Sequence, residues 1–324
     1  MNNDIFSPLP SMNKTSKIFL SIFYSVCVYG FLLSAYAGGE SAFNLVEIAP
    51  GNYLHRGIHA GFGEPGHDDI ANIGFIVGDR CAAVIDTGGS ITTGRQLLDA
   101  VRMTTGKPVC YVINTHIHFD HVLGNLVFVE DKPEFIGHAN LRDAMEMNKG
   151  FFLEEFRNDL GESPSENSII GPTQTVANIL SIDLGNRKLL LTAYQKSHTH
   201  TDLTILDELT GTLWTGDLLF RERIPVIDGS LKGWLAVMEI FKSLKVTTII
   251  PGHGAPASNW QVAMAAQQEY LTDLFNETRE AIANGQFMEE AIETVGQGEK
   301  DKWLLFEQQN RTNVSRAFVE LEWD

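Results

Sequence analysis

The stretch Asn114–His121, which reads Asn-Thr-His-Ile-His-Phe-Asp-His, constrains the fold of this chain more than any other part. It directly follows Val109–Ile113, a short apolar, β-rich run that predicts a buried strand. Because alternate residues of an extended segment point to the same side, His116 and His118 can bind one ion together. If the chain then turns into a helix, the next Asp and His lie in its first residues and can face a second ion. The stretch therefore predicts that one strand end supplies ligands for two metal ions.

Three other segments carry metal-binding side chains directly after predicted strands: Lys196–Leu203, Thr215–Phe220 and Pro251–Gly254. The first stretch has four donors, which is too few for two ions because each ion needs four or more. Since chemistry in open α/β folds collects at the carboxyl ends of strands, we expect the four segments to meet. Strands and helices alternate twice up to residue 250, which predicts two α/β halves packed as one domain.

Together the four segments resemble the metallo-β-lactamase-fold hydrolases. The resemblance rests on the set His-x-His-x-Asp-His, His-Thr-x-x-Asp-Leu, Gly-Asp-Leu-Leu-Phe and Pro-Gly-His-Gly, and it covers about residues 45–258. It implies an α/β fold, a four-layer αββα sandwich, over residues 41–258. Residues 259–324 are largely helical in pattern, and we expect them to form a C-terminal extension packed on the same domain.

The resemblance also implies a dinuclear zinc centre. Three residues are implied on the first zinc, namely His116, His118 and His198. Three more are implied on the second, with Asp217 bridging the two ions, namely Asp120, His121 and His253. His200 is less favoured than His198, because only His198 stands in the His-Thr-x-x-Asp register. Asp86, in an Asp-Thr-Gly turn at a strand end, is expected to support the metal loop without binding metal.

Such a centre predicts a hydrolase that needs no protein nucleophile. Two zinc ions ~3.5–4 Å apart can share a hydroxide and lower the pKa of its parent water to near neutrality. That hydroxide attacks a carbonyl carbon, one zinc polarises the carbonyl oxygen, and Asp120 orients the hydroxide. We therefore expect two Zn²⁺ per chain and a small-molecule substrate that is an ester, thioester, lactone or amide.

The segment Gly216–Ser230 points to a subgroup. It resembles the quinoprotein relay system zinc metallohydrolases, which are exported proteins linked to quinoprotein dehydrogenase systems. A functional link to such a dehydrogenase is therefore implied. The bridging Asp217 resembles the glyoxalase II pattern more than that of true β-lactamases. No cysteine occupies an implied ligand position, which disfavours the main zinc β-lactamase class.

Two rival functions stay open. One is an iron-dependent persulfide dioxygenase of the same fold, which would use a single metal ion. The joint presence of His121, Asp217 and His253 favours two ions but leaves the choice of metal open. The other rival is an accessory protein that binds metal or a cofactor without turnover, and the intact Asp120 argues against it.

The N-terminus predicts export to the periplasm or secretion. Two lysines precede the apolar run Ile18–Leu33, and the small-x-small sequence Ala35-Tyr-Ala37 follows it. This is the pattern of a secretory signal peptide over residues 1–37, after whose removal we expect no stable membrane anchor. An uncleaved anchor is less favoured, because the run is short for a spanning helix. The net charge of −17 argues against nucleic acid as a partner.

Residues that contact the substrate are less clearly marked. Arg221 and Arg223 closely follow Asp217 and could hold a substrate carboxylate by bidentate hydrogen bonds, although charge balance explains them equally well. His67 could line the substrate mouth, but a solvated loop histidine is the more general expectation for a glycine-rich segment. We expect the phenylalanines at positions 151, 152 and 156 to lie in the core and not in a lid over the site.

Two cysteines remain after signal cleavage, Cys81 and Cys110, and both fall in predicted strands. Export permits a disulfide between them. Two buried free thiols are the favoured alternative, and neither cysteine has a spacing that indicates metal binding.

Overall fold

The structure is a computed structural model that describes residues 43–323, and the predicted signal peptide lies outside this part. The strands of the described part are β1 (Leu45–Ala49), β2 (Asn52–His55), β3 (Ile73–Val77), β4 (Ala82–Ile85), β5 (Val109–Ile113), β6 (Glu134–His138), β7 (Gln174–Val176), β8 (Ile179–Asp183), β9 (Lys188–Ala193), β10 (Leu203–Asp207), β11 (Thr212–Trp214) and β12 (Thr248–Ile250). Its α-helices are α1 (Ile91–Thr104), α2 (Phe119–Val122), α3 (Leu141–Glu155), α4 (Leu231–Phe241), α5 (Trp260–Ala283), α6 (Met288–Thr294) and α7 (Phe306–Leu321). No helix within residues 43–323 is both long and apolar enough to cross a bilayer.

The strands form two sheets. The first has seven strands in the order β1-β2-β3-β4-β5-β6-β7, and the second has five in the order β12-β11-β10-β9-β8. In the first sheet β1 to β4 are antiparallel neighbours, while β4, β5, β6 and β7 run parallel. In the second sheet only β11 and β12 pair in parallel. Each sheet therefore has a parallel part in which successive strands end at the same edge.

Successive side chains of the strands pack into different apolar clusters, so each sheet is covered on both faces. On β3, Phe75 packs outward with Leu97 of α1, and the next residue, Ile76, packs inward with Trp214 of the second sheet. On the far side, Leu213 packs in a cluster with helices α4 to α7. Because successive side chains of a strand point to opposite faces, a fully apolar strand needs cover on both sides. The result is the predicted four-layer αββα sandwich with a helical C-terminal region.

The C-terminal helices reach the segment that follows Asp217. Asn313 of α7 accepts a hydrogen bond from the Ile227 backbone N–H at 2.9 Å and donates to the Pro225 carbonyl at 2.7 Å. Glu320 of the same helix accepts from the Ser230 hydroxyl at 2.6 Å. Helix α7 thus fixes the conformation of residues 225–230, which lie beside the metal-binding side chains described below.

Two segments whose residues favour a single extended strand fold differently. Ser168–Ile170 begins at the last residue of a 3₁₀ turn over Glu166–Ser168, where Ser165 and Ser168 form a capping box. Thr173–Leu184 contains two strands, β7 and β8, which belong to different sheets. The pattern of apolar residues carries no sign of this crossing, because both halves are equally extended.

Cys81 and Cys110 form a disulfide, so the favoured expectation of two free thiols was wrong. Cys81 directly precedes β4, and Cys110 lies on the neighbouring parallel strand β5. Their Cα atoms are 5.8 Å apart, within the ~4.4–6.8 Å that a disulfide requires. The pairing of β4 with β5 therefore sets this distance, and no local pattern in the sequence specifies it.

Candidate metal centre

The chain makes the predicted turn directly after β5. His118 is the last extended residue before α2, and Asp120 and His121 lie in the first turn of that helix. Both are buried, as is His116. The remaining donors come from the loops after β9, β11 and β12, at the same edge of the sandwich. At this edge the Leu203 N–H donates to the Thr115 carbonyl at 2.8 Å, so the two sheets are joined beside the site.

The structure brings all seven predicted ligands together in two adjoining groups. The donor atoms of the first group lie within 4.8 Å of one another and belong to His116, His118, His198 and Asp217. A second group with the same spread consists of Asp120, His121 and His253. The Asp217 carboxylate lies between the groups. Its Oδ2 is 3.4 Å from His198 Nε2 and 3.2 Å from His253 Nε2, and its Oδ1 is 3.2 Å from His121 Nε2.

Three buried atoms that face this space have no hydrogen-bond partner, namely His116 Nε2, His121 Nε2 and Asp217 Oδ1. A buried polar atom left unpaired costs about 1–3 kcal/mol, so native structures rarely leave one without a partner. Imidazole nitrogen and carboxylate oxygen are both good donors to divalent zinc. The unpaired atoms and the chemistry of the donor set therefore fit bound metal ions.

The outer ring nitrogen of each histidine has an acceptor. Val226 O lies 2.6 Å from His198 Nδ1, and Ile70 O lies 2.7 Å from His253 Nδ1. Since a carbonyl oxygen only accepts, each ring carries its hydrogen on Nδ1 and presents an Nε2 lone pair to the site. These backbone contacts hold the two rings in the tautomer that a metal ion requires.

Two aspartates hold the rings of His121 and His118 in a similar way. Asp86 Oδ2 is 2.8 Å from His121 Nδ1, and the same carboxylate accepts from the Thr115 backbone N–H and hydroxyl at 2.8 Å each. This agrees with the supporting role expected of Asp86. Asp228 Oδ2 is 3.2 Å from His118 Nε2, which turns His118 Nδ1 toward the site. Asp228 was not predicted as a site residue, because no local sequence pattern links it to a histidine 110 positions away.

Asp202 and Gly252 shape the loops. Asp202 accepts from the Thr199 N–H and hydroxyl and so fixes the loop that begins at His198, without touching a ligand ring. At Gly252 an added Cβ would lie 1.8 Å from Asp217 Oδ1. Only glycine therefore leaves room for the Asp217 carboxylate in its observed position.

Buried carboxylates and imidazoles shift one another's pKa values in this site. Burial opposes ionisation of Asp120, but His121 and His253 lower its pKa to about 2. Asp217 behaves in the same way, and its pKa falls well below the usual value. Burial lowers the pKa of His198 to about 3, so this ring stays neutral and keeps its lone pair. The two carboxylates are thus ionised and His198 is neutral, as metal binding requires, whereas Asp120, Asp217 and Asp86 raise the pKa of His121 well above its usual value against the effect of burial. A cation bound there would displace that proton.

The three candidate substrate residues have different surroundings. Arg221 donates to the carbonyls of Ala255 and Pro256, which engages it in holding the loop after His253. Arg223 is 5% exposed, lies beside the metal ligands, and has no hydrogen-bond partner at Nε or Nη1. His67 Nε2 lies 3.3 Å from an Asp159 carboxylate oxygen, and its ring lies against Phe62 and Phe119.

Two cavities open beside the donors. One, of about 220 Å³, contains the Asp120, Asp217 and His253 side chains, and Arg223 forms part of its wall. The other, of about 390 Å³, is mostly lined by aromatic rings. His118, Phe62 and Phe119 line both cavities.

An αββα sandwich with histidine and aspartate donors at one edge of its sheets defines a class of metal-binding hydrolase folds. The sequence profile of the metallo-beta-lactamase superfamily matches residues 67–253 of this chain. The chain belongs to the metallo-beta-lactamase superfamily.

Solved structures share the fold at low sequence identity. A metallo-beta-lactamase from Pontibacter korlensis is 18% identical with a TM-score of 0.56, over 71% of this chain and 99% of that one. The stereoselective inverting sec-alkylsulfatase Pisa1 from Pseudomonas sp. is 18% identical with a TM-score of 0.63. That match covers 85% of this chain and 49% of the sulfatase.

A curated relative is also similar in sequence. The linear primary-alkylsulfatase of Pseudomonas sp. is 20% identical in an alignment of 236 residues that covers 62% of this chain. The matched part is 43% of that relative, so this chain spans less than half the length of the protein it resembles.

Proposed function

We propose that this protein is a dinuclear zinc hydrolase. The single observation that carries the proposal is the pair of adjoining donor groups, with Asp217 of the first group in contact with His121 and His253 of the second, and with three buried donor atoms left unpaired. In this proposal His116, His118 and His198 would hold the first ion, and Asp120, His121 and His253 would hold the second. Asp217 would be the ligand that bridges them.

The chain's own residues position the reaction. Zinc, when bound, supplies a Lewis acid for the scissile group and lowers the pKa of water to near neutrality. Asp120 accepts a hydrogen bond from the attacking water and so orients it toward the substrate. Asp86 and Asp228 keep the rings of His121 and His118 in place. The free N–H groups of Arg223 donate to an oxygen that is negatively charged or becomes so in the transition state.

The proposed substrate is a small ester, thioester, lactone or amide. A sulfate ester is a second candidate, which Nε and Nη1 of Arg223 favour, since they lack partners beside the donors. These N–H groups can each donate to an anionic oxygen, and sulfate esters carry several such oxygens throughout the reaction. The alkylsulfatase names of two relatives prompt the same test. Of the other candidate contacts, His67 is proposed at the mouth, and Arg221 acts only by supporting the loop after His253.

A hydrolysis panel with the zinc-loaded protein that lacks residues 1–37 tests the proposal. The panel contains an acyl ester, a thioester, a lactone, a β-lactam and an alkyl sulfate. We expect turnover of at least one, and Asp120→Ala should abolish it. Asp99→Ala, at an exposed position of α1, is the matched control and should keep full activity.

Each rival function gives a different result in this assay. Iron at one ion per chain, with sulfite formed from a persulfide, would establish a persulfide dioxygenase instead. Full zinc loading without turnover of any compound in the panel would indicate a non-catalytic accessory protein.

We also propose that the protein acts in the periplasm or outside the cell, in a quinoprotein dehydrogenase system. The N-terminal pattern and the segment Gly216–Ser230 support this. Mass spectrometry of the protein recovered from the producing cells should find a chain that begins at Gly38. A chain that retains residues 1–37 in the cytoplasmic fraction would contradict export. Loss of dehydrogenase-dependent growth on deletion of the gene would support the link, and unchanged growth would oppose it.

A further inference from the structure

Phenylalanine and isoleucine side chains form most of the wall of the larger cavity beside the metal centre, and four polar residues complete it: His118, Asn148, His200 and Asp228. Its volume is about 390 Å³, within the ~300–1,000 Å³ typical of small-molecule sites. Its apolar wall consists of Phe62, Ile117, Phe119, Phe151, Phe152 and Phe156. These side chains come from three separate parts of the chain: the loop after β2, the metal-binding stretch and helix α3.

Two of these rings are exposed in a way that folding alone does not explain. Phe62 is 54% exposed and Phe151 is 55% exposed. Both rings meet the buried Phe156 edge-to-face, with centroids 5.7 Å and 5.9 Å apart, so they stand at the mouth around a buried aromatic base. Leaving two phenyl rings in water is unfavourable, and an apolar group placed between them would remove that exposed area.

The cavity adjoins the smaller cavity that holds the donor side chains. Phe119 lies directly before Asp120 in α2, and its ring stacks on Phe156 at 4.5 Å. Phe62 and Phe119 line both this cavity and the smaller one, whose wall includes Asp120, Asp217 and His253. A molecule held by its apolar end here therefore extends its other end toward the metal ligands and Arg223.

We infer that the cavity binds an aromatic group of the substrate, an inference that rests on the proposed hydrolase function. Phenyl rings arranged edge-to-face and stacked favour another aromatic ring over an alkyl chain, because the ring quadrupoles add to the area buried. The substrate class is then an aryl or arylalkyl ester, thioester, amide or sulfate. The reacting group lies at the metal ligands, and the aromatic group lies among the phenylalanines.

Binding of 2-acetylnaphthalene, a non-hydrolysable analogue of an aryl ester, tests the inference without turnover. Isothermal titration with the zinc-loaded protein should give a saturable site. Phe62→Ala and Phe151→Ala should each weaken binding roughly five- to tenfold, and both positions are exposed enough that neither variant should unfold. Phe287→Ala is the matched control, since this phenylalanine is 74% exposed and lies at the start of α6, outside the cavity wall.

Three outcomes overturn the inference: no saturable binding, equal affinities in the three phenylalanine variants, or tighter binding of 2-decanone, an alkyl ketone. Failure of the hydrolase proposal is a separate result. A protein that hydrolyses nothing but still binds the ketone through Phe62 and Phe151 retains the aromatic site and loses the proposed reaction. Where turnover exists, the ratio of kcat/KM for 2-naphthyl acetate to that for ethyl acetate should fall in both cavity variants and not in Phe287→Ala.

Discussion

At the scale of single residues, the metal centre depends on hydrogen bonds made on the outer side of each ligand ring. Two such contacts come from carboxylates and two from backbone carbonyls, while the ring of His116 meets the Thr115 hydroxyl at 3.0 Å. A ring that is free to rotate or to change tautomer would lose part of its metal affinity. Substitution of the residues that hold these rings therefore tests the centre, just as substitution of the proposed ligands does.

We predict that Asp228→Asn weakens zinc binding. The amide keeps the volume but removes the charge that accepts from His118 Nε2. The loss of such a supporting contact typically costs ~10–100-fold in metal affinity. Competition with a chromogenic chelator measures the effect, and Asp99→Asn serves as the control. An unchanged zinc affinity in Asp228→Asn would show that Asp228 does not position His118.

The two neighbouring arginines should differ in their effect on catalysis. Arg223→Met should lower kcat/KM for an anionic substrate by about 10–100-fold, because a hydrogen bond to a charged group contributes about 1.5–3 kcal/mol. For a neutral ester the loss should be much smaller. Arg221→Met removes the contacts to Ala255 and Pro256, so it should lower thermal stability without this charge preference. Steady-state kinetics with matched charged and neutral substrates measure this difference between the two variants. Equal charge preferences in Arg223→Met and Arg221→Met would contradict the assignment of Arg223 to substrate binding.

At the scale of elements, the site depends on where the strands end. β4 and β5 end side by side, as do β11 and β12, so the loops after them converge at one edge. The loop after β12 approaches the loop after β11 so closely that the Gly252 N–H donates to the Gly216 carbonyl at 2.8 Å. This approach places the Asp217 carboxylate between the two donor groups.

Gly252→Ala should therefore disrupt the bridge. The new methyl group would occupy the position of Asp217 Oδ1, so the carboxylate must move or the loop must open. We expect loss of at least one bound zinc and of most activity. Gly298→Ala is the matched control, because an added Cβ there meets nothing within 4 Å. Full zinc loading of Gly252→Ala, measured by elemental analysis, would show that Asp217 does not need its present position.

Much of this arrangement could be predicted from local patterns. The buried strand before His116, the helical turn that carries Asp120, and the strands that place His198, Asp217 and His253 all follow from apolar runs interrupted by polar residues. Long-range contacts were the part that could not be predicted. The partnership of Asp228 with His118 and the disulfide depend on which strands and loops become neighbours.

The same reason explains two further differences from the sequence-based expectation. β7 and β8 belong to different sheets, and Arg221 and Arg223 make different contacts. Both arginines follow Asp217 within six residues, and only the tertiary packing shows which guanidinium faces the donors. Likewise, Phe152 and Phe156 are buried as expected, while Phe151 stands at a cavity mouth.

At the scale of the whole molecule, a buried ion pair joins the two sheets at a point that contributes no metal donor. Arg187 binds Asp207 of β10 at 2.6 Å and also donates to the carbonyls of Val77 and Pro50, at 2.8 Å each. Arg187 is 5% exposed and Asp207 is fully buried. Since Val77 belongs to the first sheet and Asp207 to the second, this pair holds the sandwich together.

Asp207→Asn should lower the free energy of unfolding at pH 7 by about 3–5 kcal/mol, because it leaves a buried guanidinium without its counter-charge. Asp131→Asn, which breaks an exposed pair with Arg102, is the control and should cost at most about 1 kcal/mol. Urea unfolding measures both. Equal, small losses in the two variants would contradict a structural role for the buried pair.

The same pair should give an acid-dependent stability. Burial opposes ionisation of Asp207, but Arg187, Thr210 and Asn52 lower its pKa below the usual value near 4. The unfolded chain therefore takes up a proton first as the pH falls, so the contribution of Asp207 is complete above about pH 4 and declines below it. Unfolding curves should show a steeper loss of stability below pH 4 in the wild type than in Asp207→Asn. Parallel pH profiles would exclude this contribution.

We propose that this one edge of the sandwich holds two metal ions. Elemental analysis of the purified protein without residues 1–37, loaded with zinc and freed of excess metal, tests this most directly. We predict close to two zinc per chain, and about one or fewer in Asp217→Ala, because Asp217 contacts donors of both groups. A wild-type protein that retains only one ion per chain, or that retains iron in preference to zinc, would contradict it.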